Sequence, residues 1–258
     1  MPAAVQDFQA ASLKARAGNR ALPRASQAAA TAYGEWQRQL FATDFAGLCR
    51  YRGANQHLPA RTAGRVVFFG DSITEAWSEV RPGFFRRDWI NRGIAGQTTK
   101  QMIGRFRSDV IDLHPAVVHI LAGINDIAGA TGPTSIDQIT SNLSTMAELA
   151  RVHGIRVVLG TVLPAKAYRG VAQPERADAV AALNRWIRGY ARREHIGLID
   201  YFAALNDEDQ SMAPSHTSDG VHPNASGYAV MEPLASRAIA DTLRLRRPRA
   251  LRAGTPVR

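Results

Sequence analysis

An α/β fold with one parallel sheet of about five strands follows from three features of this 258-residue sequence. Short apolar runs containing β-branched residues alternate with longer stretches of helical periodicity, the pattern of repeated crossover units with helices on both faces of a sheet. Small motifs built on Gly, Asn, Ser and His follow these runs, where the loops at the carboxyl ends of parallel strands belong. The length, with 45% hydrophobic and 21% charged residues, suits one flavodoxin-like domain with extensions better than two domains.

Residues 65–69, 116–121, 155–161 and 197–201 are short and apolar, as strands buried on both faces are. A shorter fifth strand is expected at 89–92. Between them, 99–113 carries Met102, Ile103, Phe106, Val110 and Ile111, and 135–153 carries Ile136, Ile139, Leu143, Met146, Leu149 and Ala150. Val180, Leu183, Ile187 and Tyr190 lie in 174–195, and Tyr228, Met231, Leu234, Ile239 and Leu243 lie in 223–243. Each set puts one apolar stripe toward a core. Residues 129–133 and 165–173 read as loops over the site. Residues 1–60 form a less regular extension, with helix expected at 27–41 and at 44–55. The domain proper is expected over 61–243 and a basic, flexible tail over 244–258.

Charge excludes less than it suggests. The net charge is +10, but Arg244, Arg246, Arg247, Arg249, Arg252 and Arg258 crowd the C-terminus, and the remainder carries only +4. No aromatic residue accompanies these arginines, so a solvated terminus is expected rather than a nucleic-acid site. No apolar run approaches the ~18 residues of a membrane span. The first 30 residues lack the apolar core of a secretory signal. The chain as given is therefore expected to be cytoplasmic, or periplasmic or secreted with its signal removed. Cys49 is the sole cysteine, so no intrachain disulfide forms. The spacings of metal sites and the Gly-rich loops of nucleotide sites are both missing, so neither metal nor cofactor is expected.

Four motifs carry chemistry: Gly70-Asp71-Ser72-Ile73-Thr74, Asn91-Arg92-Gly93-Ile94-Ala95-Gly96, Gly123-Ile124-Asn125-Asp126 and Asp219-Gly220-Val221-His222-Pro223. Ser72 supplies a hydroxyl at an expected helix start, although Asp71 or Ser72 alone reads equally as a helix cap. His222 is a candidate base, and Asp219 stands three residues earlier, within reach of one ring nitrogen. His216 is the nearest rival. His57, His114, His119, His153 and His195 read as structural or surface residues. Gly96 and Asn125, with the backbone N–H of Ser72, are candidate donors to a developing oxyanion. Asp126 is expected to cap a helix or brace its loop. Together these are the parts of an acyl-transfer site.

These residues closely resemble the GDSL, or SGNH, hydrolase family over residues 65–240. The four signature residues of that family fall on Ser72, Gly96, Asn125 and His222, and Asp219 falls on its Asp-x-x-His element. Glu75 and Trp77 extend the first motif toward a bacterial acetylhydrolase-like branch. Ile73 replaces the named Leu, and Ala95 stands where Ser is common. The resemblance implies a three-layer α/β/α sandwich, no cofactor and ester hydrolysis through an acyl-enzyme. A short-chain, particularly acetyl, ester is the expected substrate, with acetylated carbohydrate one candidate. Lysophospholipase and thioesterase activities use the same machinery, and a non-catalytic binding protein on this scaffold is the reading from another class.

Overall fold

The computed structural model describes residues 1–59, 62–85, 88–168, 171–172, 174–207 and 209–245. Five parallel strands form the sheet: β1 (Val66–Gly70), β2 (Trp89–Gly93), β3 (Val117–Leu121), β4 (Arg156–Gly160) and β7 (Gly197–Ile199), ordered β2-β1-β3-β4-β7. The register pairs Gly70 with Gly93 and with Leu121, so the first three strands end level. All residues of β1 and β3 are buried, as expected where helices cover both faces. The expected fold class holds, and the strands differ from expectation by at most two residues at either end. The larger shift is at 197–201, where Asp200 accepts from Ala203 N–H and starts helix α9 (Tyr201–Leu205).

On one face pack α4 (Ser72–Val80) and α10 (Ala225–Arg244), joined by Trp77 stacked on Tyr228 at 5.4 Å. On the other lie α5 (Thr99–Asp109), α7 (Ile136–Val152) and α8 (Pro174–Glu194). Helix α5 stops at Asp109, and 3₁₀ helix Ile111–Leu113 completes the expected segment. Asn224 caps α10 by accepting from Gly227 N–H, so that helix begins after Pro223. The short helix α6 (Ile124–Ile127) follows β3. A Cβ on Gly93 would lie 2.1 Å from the backbone nitrogen of Glu75, so glycine is what lets α4 press on the end of β2.

The extension is more ordered than its sequence suggests. Helix α1 (Ala3–Ala17) was not anticipated, because its alanines and charges give no clear stripe; it buries Val5 and Ala15 and packs on α4. Helix α2 (Gln27–Thr43) is capped by Ser26. The expected helix at 44–55 is absent. Asp44 accepts from the N–H groups of Leu48 and Cys49 at 2.7 and 2.9 Å and turns the chain, leaving only α3 (Arg52–Gln56). Within 165–173, read as a loop, β5 (Ala167–Tyr168) and β6 (Val171–Ala172) pair antiparallel. Arg244 closes α10, and Leu245 O accepts from Arg156; the rest of the expected tail lies outside the described residues. No described helix is long and apolar enough to cross a membrane.

Candidate active site

The candidate residues converge at the carboxyl edge of the sheet. Asp71 ends the turn after β1 and caps α4, its Oδ1 accepting from Ile73 N–H at 2.9 Å. Ser72 therefore sits at the first position of α4, with Oγ 2.9 Å from His222 Nε2. His222 Nδ1 lies 2.8 Å from Asp219 Oδ2. A proton on Nδ1 facing the carboxylate leaves Nε2 as an acceptor for the Ser72 hydroxyl.

The loop before α10 is wound around Asp219. Its Oδ1 accepts from the backbone N–H groups of Val221 and His222 at 3.0 and 2.8 Å. Thr217 Oγ1 donates to His222 O and accepts from Gly220 N–H. Burial pushes the Asp219 carboxyl up. The bond and charge of His222 and the two backbone N–H groups outweigh it, and the carboxyl lies well below the ordinary range.

Gly96 turns the chain after β2 with φ +79°, a conformation that favours glycine. Glu75 of α4 fixes this turn by accepting from Ala95 N–H at 2.8 Å. Among the described residues, the backbone N–H groups of Ser72 and Gly96 donate to no protein group. Asn125, in α6, donates through Nδ2 to Gln97 O at 3.0 Å and to Asp71 Oδ2 at 3.4 Å. The longer of these is the weaker, and a substrate oxygen can displace it. All five residues singled out in the sequence thus lie at this edge, Ser72 and Asn125 in the first turns of α4 and α6 and the other three in loops.

Asp126 braces the site as expected, accepting from Thr99 N–H and from Thr99 Oγ1–H at 2.6 Å. Thr131 of the 129–133 loop touches Thr98 and accepts from Lys100, so that loop borders the same edge. His119 is buried in β3 beside the Tyr201 hydroxyl; burial lowers its imidazole to about 3, and it stays neutral. Asp71 is the unanticipated titratable group. Burial raises its carboxyl to about 7, against the bond from Ile73 N–H and with help from the Asp126 charge. Also missed were Gln97 and Arg105. Arg105 Nε donates to Gln97 Oε1 at 2.6 Å, and Gln97 O receives Asn125. The sequence held a signal only for Glu75 and Trp77, as part of the first motif.

A parallel α/β sheet with this cluster at its carboxyl edge has the parts and placement of an acyl-transfer site. The chain belongs to the GDSL-like lipase/acylhydrolase family, whose sequence profile matches residues 68–230. It resembles the crystal structure of a candidate acylhydrolase from Bacteroides fragilis NCTC 9343, with 42% identity and a TM-score of 0.75, over 78% of this chain and 100% of that one. A GDSL-like lipase from Bacteroides thetaiotaomicron VPI-5482 is 39% identical, with a TM-score of 0.73 over 77% and 99%. An uncharacterized lipoprotein of Bacillus subtilis (strain 168) is 39% identical over 38% of this chain, which spans 48% of that relative's length. An acetylxylan esterase of Geobacillus stearothermophilus is 24% identical over 55% of this chain and 67% of its own.

Proposed function

We propose that this protein is a serine esterase that removes short acyl groups, acetyl first among them, through an acyl-enzyme. The observation that carries the reading is the unbroken chain Ser72 Oγ, His222, Asp219, with links of 2.9 and 2.8 Å. Ser72 Oγ attacks the ester carbonyl while His222 Nε2 takes its proton. The Ser72 and Gly96 N–H groups and Asn125 Nδ2 receive the negative oxygen. His222 returns the proton to the leaving alcohol, and the acyl group stays on Ser72. Water, deprotonated by His222, then attacks the acyl carbonyl; the acid leaves and Ser72 regains its proton. Asp219 holds the ring and stabilises its charged form.

The acetyl preference draws on the likeness to an acetylxylan esterase, which makes an acetylated carbohydrate the candidate natural substrate. Residues 61–243 are proposed as the hydrolase domain. The test is initial rates on p-nitrophenyl esters from acetyl to palmitoyl, followed by acetate release from acetylated xylooligosaccharides. Rates should fall steeply beyond short chains, whereas a maximum at long chains would replace this reading with a lysophospholipase or thioesterase. On the best ester, Asn125→Ala should lower turnover by roughly 10²–10³ without unfolding the protein. Near-normal turnover in that variant would remove Asn125 from the oxyanion site.

A further inference from the structure

We propose that Arg16 is a positioning residue for the Ser72–His222–Asp219 relay, making helix α1 a working part of the active site; this rests on the serine esterase reading above. Arg16 lies in the last turn of α1, outside the matched family region, and is 203 residues from Asp219 in sequence. Its Nη2 is 3.2 Å from Asp219 Oδ2, the same oxygen that faces His222 Nδ1. Both side chains are withdrawn from water, 13% exposed for Arg16 and 1% for Asp219. Among the described residues, Asp219 is the only polar partner of the Arg16 side chain, whose Nε is buried without one.

The rest of α1 is anchored so as to hold that guanidinium in place. The helix packs on α4, which carries Ser72. Just beyond it, Asn19 donates to Ser226 Oγ at 3.0 Å and accepts from Ser226 N–H at 3.3 Å, in the first turn of α10. Helix α1 therefore bridges the element that presents Ser72 and the element that follows His222. The Asp219 carboxylate already has three donors from its own loop. Arg16 adds a fourth, which fixes its plane.

Arg16 also sets a positive charge beside the imidazole. The titratable groups around the pair are Asp219 and His216 of the same loop, Arg16 of α1, Asp71 at the start of α4 and Tyr228 of α10. Arg16 is the fixed cation of this set. Like charges repel, so removing this cation favours the charged ring and moves the acid limb of the pH profile up.

The experiment is kcat/KM against pH on p-nitrophenyl acetate for the unmodified full chain and for R16M, R16Q, R16K and N19A, with thermal melts alongside. R16M and R16Q should move the acid limb up by about half a pH unit or more, and R16M should lower kcat about tenfold. R16K, which keeps the charge, should leave the limb in place, and N19A, which loosens the α1 anchor, should shift it by less than R16M does. An unmoved limb in R16M and R16Q, or an equal shift in R16K, overturns the proposal. If R16M does not fold, R16Q against R16K decides it. Absence of Ser72-dependent hydrolysis in the unmodified protein is a different result, which overturns the esterase reading first.

Discussion

Ser72→Ala is expected to lower kcat/KM for acetyl esters by about 10⁴-fold or more while leaving the protein folded. The size of the loss follows from what remains. The N–H groups of residues 72 and 96, Asn125 and the imidazole would all persist, so an ester would still bind and its oxyanion would still be held. No covalent intermediate could form, and His222 would be left to activate water directly, at a position built for a hydroxyl 2.9 Å away. The fold should survive because, among the described residues, the Ser72 hydroxyl has one polar partner, His222, and that ring keeps its Asp219 bond. Loss of one such half-buried hydrogen bond costs about 1 kcal/mol. Steady-state hydrolysis and a thermal melt together test this. A variant keeping a tenth of normal activity would show that another group attacks the ester.

The second large effect concerns stability. Arg105 is fully buried, yet its guanidinium is the hub of the site's floor. Nη1 donates to Arg92 O at 2.8 Å and to Asp109 Oδ2 at 3.1 Å, Nη2 to Gly70 O at 3.0 Å and Nε to Gln97 Oε1. The plane rests on the Phe69 ring at 4.2 Å. One side chain thus ties the end of β1, the end of β2, the loop after Gly96 and α5. Burial works against its charge, and the Asp109 carboxylate offsets only part of that cost. Arg105→Leu would leave the buried Asp109 carboxylate without its counter-ion, with Asn55 Nδ2 as a remaining donor, while Gly70 O keeps the Ile94 N–H. Breaking a buried pair from one side costs about 3–5 kcal/mol, or about 10 °C in Tm for a chain of this size. A Tm within about 2 °C of the unmodified protein would mean that water or a local shift replaces these bonds. Activity should fall as well, because Gln97 O positions Asn125.

Much of this was legible in the chain because it is local. Strands buried on both faces announce themselves as short apolar runs, and helices by a period of 3.6 residues. Ser72, Gly96, Asn125, Asp219 and His222 could be nominated because each lies at a helix start or in a loop beside a strand or helix end, with its neighbours in sequence setting its conformation. Asp219 and His222 are three residues apart, so their pairing could be anticipated without coordinates. The helix expected at 44–55 failed for a comparable reason: one side chain, Asp44, captures two N–H groups that a helix would have used. Nothing local distinguishes Arg16 from the other arginines of a basic chain, nor Arg105 from a solvated helix residue. Their partners are set by how α1 and α5 pack, and the Asp71 carboxyl is raised mainly by burial, which exists only in the folded molecule. Residue type and spacing determined which groups could react; tertiary packing alone decided which charges would be withdrawn from water beside them, because desolvation and long-range hydrogen bonds depend on neighbours the chain meets only after it has folded.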